Sequence, residues 1–274
     1  MSDDRAEIVT GPAVRVDRDA ADPAVAVITL NRPERRNALT VELKEALVAA
    51  VAEVGQDAGV RAVVLAGSGR AFCVGQDLKE HAQALRAPGG AVFDTVQRHY
   101  NPVIQGLATM PKPVVAAING ACVGAGLGFA LACDLRVAAA GASFATAFAA
   151  IGLTADSGLS ATLAHALGAA RAAELLLLGE SFTAEQAASW GLVRSVVPAE
   201  QVLDTALELA RTLAAGPTLA YAEIKKALAL GAVAPLAEVL AAEGAAQGRL
   251  GRTRDHAGAV EAFLAKQKPT FEGA

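Results

Sequence analysis

Three short apolar runs limit what this chain can fold into. RAVVLAG (61–67) ends in glycine, KPVVAAING (112–120) repeats the pattern, and LRVAA (135–139) repeats it again. Runs this short and this uniformly apolar suit strands buried on both faces, the usual state of a parallel sheet. Between the last two lies ACVGAGLGFALACD, apolar and studded with glycine, which suits a buried helix. Strand, helix and strand therefore alternate from residue 60 to about 200, the signature of a layered α/β core. The 274 residues allow one large core, or one core with a small appendage. Hydrophobic residues make up 53% and aromatics only 4%, so the filling is aliphatic and Ala-rich, as close helix-on-strand packing requires.

The flanks read just as locally. Arg15–Asp17 and Ala24–Leu30 form two strands about the turn Asp19–Pro23. Thr40 caps a helix running to about Asp57. The segment 157–179 ends in a helix closed by Gly179, and Thr183 to Gln186 forms a capping box whose helix stops at Gly191. LVRSVVP returns as a strand. After Pro198 only helices follow, at 199–215, 217–230, 233–247 and 255–267. The domain reading is a core over 1–198 and a helical region over 199–274, too small for its own core and so expected to pack on the body or a neighbouring subunit.

Several functions are set aside. A net charge of −4 provides no basic field for nucleic acid. MSDDRAEIVT has no apolar run before a cleavage site, so no signal peptide is read there. Val137–Leu153 is broken by Gly141, Ser143, Thr146 and Gly152, and a spanning helix needs roughly 20 apolar residues, so it reads as core rather than membrane. These features predict a cytoplasmic protein. Cys73, Cys122 and Cys133 stand apart from one another, and without CxxC or HExxH spacing they read as free thiols with no metal. No G-x-S-x-G or P-loop is present, and Gly124, Gly126 and Gly128 lack the spacing and the later acidic residue of a dinucleotide site. Those glycines allow close helix packing.

Two loops remain, Gly67–Leu78 and Asn119–Gly128, each following a parallel-type strand. Ligands of open α/β sheets sit beyond such strand ends. Small residues let a ligand touch the main chain, and a helix start offers unpaired N–H groups. Two such groups aimed at one thioester oxygen would form an oxyanion hole.

AFCVGQDL, with KPVVAAINGACVGAGLGFALACDLRVA about 40 positions on, resembles the crotonase (enoyl-CoA hydratase/isomerase) superfamily. NRPERRNAL (31–39), LLLLGESFTAEQAASWGLVRSVVP (175–198) and EAFLAKQKPTF (261–271) extend the resemblance over nearly the whole chain. It implies a crotonase-like spiral of ββα units forming two near-perpendicular sheets, with a C-terminal helical trimerisation region, and hence a homotrimer or a dimer of trimers. It implies oxyanion donors at the N–H groups of Gln76 and Ala125; the second is usually glycine, and alanine keeps the N–H. Ala38, Val74 and Leu78 match positions whose main chain meets the adenine end of CoA. Arg36 and Lys79 match positions near the CoA phosphates, and Phe263 and Lys266 match tail positions that reach a neighbour's CoA. Gly124 and Phe148 belong to the acyl-binding surface. Arg32 and Arg35 read as solvated side chains. No cofactor is needed, because CoA is part of the substrate.

The departures from the family pattern are the informative part. Family hydratases use two glutamates, and the matching positions here hold Gly128 and Phe148, neither able to carry a proton. One acid stands nearby, Asp156 in IGLTADSGLS. The AFxxIGLxxDSG pattern resembles the ring-epoxide isomerases that act on 2-(1,2-epoxy-1,2-dihydrophenyl)acetyl-CoA, and ADxG is similar to dienoyl-CoA isomerases. In both, one carboxylate moves a proton while the oxyanion hole holds the enolate. Asp156 is accordingly read as the proton carrier, with an N-cap of the helix beginning near Ser157 as the alternative. His165 reads as a structural histidine, Asp77 as fixing its loop, and Asp134 as bonding locally. The expected activity is an acyl-CoA isomerase; a hydratase with atypical water activation and a non-catalytic acyl-CoA-binding scaffold are the alternatives.

Overall fold

The structure, a computed structural model, describes residues 11–86 and 91–274. The N-terminus in which no signal peptide was read (1–10) lies outside the described residues. The strands β1 (Val14–Arg18) and β2 (Val25–Leu30) pair antiparallel. Asp19 shapes their turn by accepting from Asp22 N at 3.1 Å. The helix α1 (Val41–Gln56) starts at Thr40, whose hydroxyl accepts from Leu43 N. Three apolar runs become β3 (Ala62–Gly67), β5 (Val114–Ile118) and β7 (Leu135–Ala139), with β10 (Ser195–Val197) at the edge. The sheet order is β1-β2-β3-β5-β7-β10, parallel from β2 onward; β5 is buried throughout and β3 at all but Gly67.

The second sheet that the resemblance implied is present, although the residue patterns alone did not mark its strands. The strands β4 (Ala71–Cys73), β6 (Ala121–Val123), β8 (Ser143–Ala145) and β9 (Phe182–Thr183) align in that order. Each of β3, β5 and β7 thus turns a corner into a short strand of the other sheet. The corners need bare backbone: a Cβ on Gly67 would lie 2.6 Å from Ala71 O, and one on Gly120 would collide with Arg70 O. Helices follow the corners, giving the ββα repeat: α2 (Leu78–Arg86), α3 (Asn101–Thr109), α4 (Ala125–Ala132), α5 (Leu159–Leu167), α6 (Ala169–Leu178) and α7 (Ala184–Ser189). The capping box at Thr183 and Gln186 forms as read. Gly126 lets α4 press on β4, since a Cβ there would lie 2.6 Å from Cys73 O. The three cysteines are buried and free, and burial pushes Cys73 and Cys133 up to about 12, so they behave as core filling.

Four helices close the chain: α8 (Val202–Ala214), α9 (Thr218–Gly231), α10 (Leu236–Leu250) and α11 (Arg254–Leu264). The helix α8 packs across β3, β5 and β7. Asp134 does not bond locally as expected. Its carboxylate accepts from Val114 N at 2.7 Å and pairs with Lys225 of α9 at 2.8 Å, so it ties the sheet to the helical region. The tail is tied as well: Arg61 donates to Gly216 O and Phe271 O, and Asp255 accepts from Glu272 N and Gly273 N. Among the described residues no helix is long and apolar enough to cross a membrane, and no His, Cys, Asp and Glu cluster could hold a metal.

Candidate active site

The two loops meet. Leu39 N donates to Gly75 O, and Asp77 N donates to Leu39 O. In this parallel bridge the groups of Gln76 itself point to the opposite side, so its N–H faces away from Leu39. That side is the start of α4. A Cβ on Gly75 (φ +81°) would lie 3.1 Å from Val123 O and 3.7 Å from Ala125 N. Ala125 is the first residue of α4, where an N–H has no acceptor within the helix. Gly124 precedes it at φ +57°, a conformation that suits glycine. Two main-chain N–H groups, free of the surrounding ladders, are thus brought to one place.

An apolar pocket of about 70 Å³ opens beside them, lined by Leu78, Phe93, Val96, Phe148, Ile151 and Leu153, with Gln76, Tyr100 and Asp156. Among the described residues Asp156 is its one carboxylate. It is not a helix cap: the N-cap of α5 is Gly158, with no side-chain cap bond. Instead its Oδ1 accepts from Ser157 Oγ at 2.7 Å, and among the described residues no cation pairs with it. Burial raises its pKa, and the Ser157 bond only partly offsets this.

Gly128 explains how Asp156 reaches the pocket. A Cβ on Gly128 would collide with Ser157 Cβ and lie 2.7 Å from Ser157 O. The space that a side chain at 128 would fill is occupied by the segment that carries Asp156. Ser157 is held there at φ +52°, a left-handed conformation uncommon for a side-chain-bearing residue.

A polar wall lies beside this apolar pocket, in an adjoining cavity, and the sequence did not disclose it. Lys44 is buried, yet among the described residues no carboxylate lies within ion-pair reach of it. Its Nζ donates to Thr95 Oγ1 at 2.7 Å and to Gln76 Oε1 at 3.2 Å, and it lies 5.7 Å from the centre of the Tyr100 ring. Tyr100 donates its hydroxyl to the same Gln76 oxygen, and Thr95 Oγ1 meets His99 Nδ1 at 3.0 Å. His99 and Tyr100 lie on a π-helical turn, Val96–Tyr100, that leads into α3. Burial lowers the pKa of Lys44 and raises that of Tyr100, on which the nearby Asp156 acts in the same direction.

The remaining predicted residues are spread more widely. Arg36 (φ +53°) and Lys79 are exposed. Ala38 is buried, and its carbonyl already accepts from Arg32 Nη1 at 2.7 Å and from Thr40 N at 3.2 Å. Arg32 is therefore not a solvated side chain. It is half-buried and pairs with Asp77 at 3.5 Å, because the bend at 32–38 folds it back over its own loop. Asp77 fixes its loop as read, accepting from Lys79 N and Glu80 N. Burial pushes its pKa up, but these bonds and Arg32 outweigh that and leave it lowered. Val74 is half-buried on the first loop, and Leu78 begins α2 at the pocket mouth. Phe263 and Lys266 are exposed in α11 and just after it, and neither lines the pocket. His165 is exposed on α5.

Two sheets built from ββα corners, with main-chain donors and an apolar pocket where the corners meet, define a crotonase-type protein. Residues 20–274 match the family described as enoyl-CoA hydratase/isomerase, and the chain belongs to that family, whose members act on acyl-CoA thioesters. The chain is 40% identical to the 1,2-epoxyphenylacetyl-CoA isomerase of Escherichia coli K12, over 92% of this chain and 96% of the relative. It is 43% identical to a probable enoyl-CoA hydratase of Rhodobacter capsulatus, over 91% and 95%. A solved structure from Mycobacterium abscessus, described as an enoyl-CoA hydratase/isomerase, superposes with a TM-score of 0.91 at 52% identity, covering 96% of this chain and all of that one.

Proposed function

We propose that this enzyme is an acyl-CoA isomerase that works through a thioester enolate, with Asp156 as its single acid/base. The N–H groups of Gln76 and Ala125 hold the thioester oxygen as negative charge develops on it. Asp156 takes a proton from one carbon and returns it to another, shifting a double bond or letting a ring epoxide rearrange. The observation that carries this reading is the state of Asp156: it lies in an apolar wall, caps no helix and has a raised pKa. A raised pKa makes a carboxylate a stronger base, which favours its taking a carbon-bound proton once the enolate is stabilised. Hydration would also require a group to hold a water, and Gly128 and Phe148 supply none.

Arg36 and Lys79 would meet the CoA phosphates, with Val74 and the bend at Ala38 toward the adenine. Exposed Ile224, Leu228, Leu240 and Phe263 on the last three helices support a homotrimer or a dimer of trimers, in which Phe263 and Lys266 reach a neighbour's CoA. A cytoplasmic location belongs to the same reading, and no cofactor is required beyond the CoA of the substrate.

The test is Asp156→Asn beside wild type on a 3-enoyl-CoA, following the rise of 2-enoyl-CoA absorbance. Loss of the signal by orders of magnitude with thioester affinity retained supports the assignment, and equal turnover refutes it. The hydratase name of the Rhodobacter relative favours a second reading, in which Asp156 activates water. Hydration of a 2-enoyl-CoA in the same assay would bring that reading forward. Binding without turnover of either thioester or a ring epoxide would leave a scaffold.

A further inference from the structure

The side chain of Gln76 has a part to play apart from its main chain. Its Oε1 accepts from Lys44 Nζ at 3.2 Å and from the Tyr100 hydroxyl. An ammonium only donates, so the end of the carboxamide that faces Lys44 must be the oxygen. A carbonyl oxygen has two lone pairs, and Lys44 and Tyr100 take both. The NH₂ end is thereby fixed as well. Among the described residues it has no acceptor, and the one buried side-chain polar atom without a partner is Asn119 Oδ1. Nε2 is therefore not sealed in the core. The cavities that Gln76 lines are the apolar pocket and a polar one of about 180 Å³ beside it.

The lock behind Gln76 is rigid. Lys44 is held by Thr95 at 2.7 Å as well as by Gln76, and it sits over the Tyr100 ring. Two N–H donors so fixed have consequences for what can bind. A hydrocarbon acyl group would strip water from Nε2 and offer nothing in return. An acyl group with an oxygen at that point would be matched, where the rest of the wall would leave the oxygen desolvated and unpaired.

We propose that the Gln76 carboxamide, locked by Lys44 and Tyr100, is a fixed hydrogen-bond donor in the acyl pocket and selects acyl groups that carry an acceptor oxygen, such as an epoxide or ring ether, over hydrocarbon groups of the same shape. The inference rests on the acyl-thioester reading above and narrows its substrate class. It is tested by calorimetric binding of two ligands that differ by one ring atom, oxan-2-ylacetyl-CoA and cyclohexylacetyl-CoA. Wild type binds the ether about tenfold tighter, the worth of one well-made hydrogen bond. Gln76→Leu binds the two equally. Gln76→Glu keeps an oxygen for Lys44 and Tyr100 but turns the donor end into an acceptor, so it prefers the hydrocarbon. Each result is a ratio within one protein, and the wild-type ratio stands even if a variant does not fold. Equal binding by wild type, or an undiminished ether preference in Gln76→Leu, overturns the inference alone. Failure of wild type to bind either thioester overturns both it and the acyl-thioester reading.

Discussion

The two walls of the pocket treat charge in opposite ways. On one side the Asp156 carboxylate stands among Phe148, Ile151 and Leu153, and among the described residues only Ser157 bonds to it. On the other, Lys44 is buried but donates to two neutral oxygens, and Tyr100 and His99 extend the network. Asp156 and Lys44 line neighbouring cavities and, among the described residues, do not pair with each other. A direct ion pair would hold Asp156 ionised and weaken it as a base. Kept apart, the carboxylate stays basic while the ammonium orders Gln76. On the proposed mechanism one wall would serve proton transfer and the other would hold a shape.

Removing the anion should have the largest effect. Asp156→Asn should lower kcat/KM by about a thousandfold, within the range of lost general acid-base groups, in a steady-state assay on a 3-enoyl-CoA. Crowding the anion's seat comes next. Gly128→Ala places a methyl against Ser157, at a cost of about 1–3 kcal/mol in a denaturant melt, and the displacement of Asp156 should lower kcat by about a hundredfold. Gly128→Glu should gain no hydration activity, because the space for its side chain is already taken. Weakening the cation's wall should matter less: Lys44→Met frees Gln76 and should lower kcat/KM about tenfold, while removal of an unpaired buried charge leaves thermal stability nearly unchanged. The smallest effect is on pH. A base works when ionised, and burial raises the pKa of Asp156, so the acidic limb of kcat/KM should lie above the ordinary aspartate range. Ser157→Ala removes the bond that favours the ionised form and should move that limb further up.

The two walls also differed in how far the sequence disclosed them. Asp156 and both main-chain donors were assigned through the family resemblance, which rests on long motifs. The middle strands of the main sheet were legible because nearly all their residues are buried and apolar. The second sheet was not, because β4, β6, β8 and β9 have only two or three residues each, too few to show a period. The polar wall was hidden for another reason. Lys44 in ELKEALV looks like a surface lysine, and Thr95, His99 and Tyr100 come from a distant segment that α3 brings against α1. A signal was nonetheless present. Lys44 falls on the stripe of Leu47, Val51 and Val54, the buried face of α1, where a lysine needs a reason to be. The fold of Arg32 back onto Asp77 left no such mark, since it depends on the bend at 32–38.

The central claim is that Asp156 alone moves the proton. The direct measurement is magnetic resonance of a 3-enoyl-CoA turning over in D₂O, with wild type and Asp156→Asn side by side. The account predicts that wild type carries the α-proton to the γ-carbon with partial exchange for deuterium, and that the variant does neither while still binding the thioester. Proton transfer by the variant at the wild-type rate would contradict it.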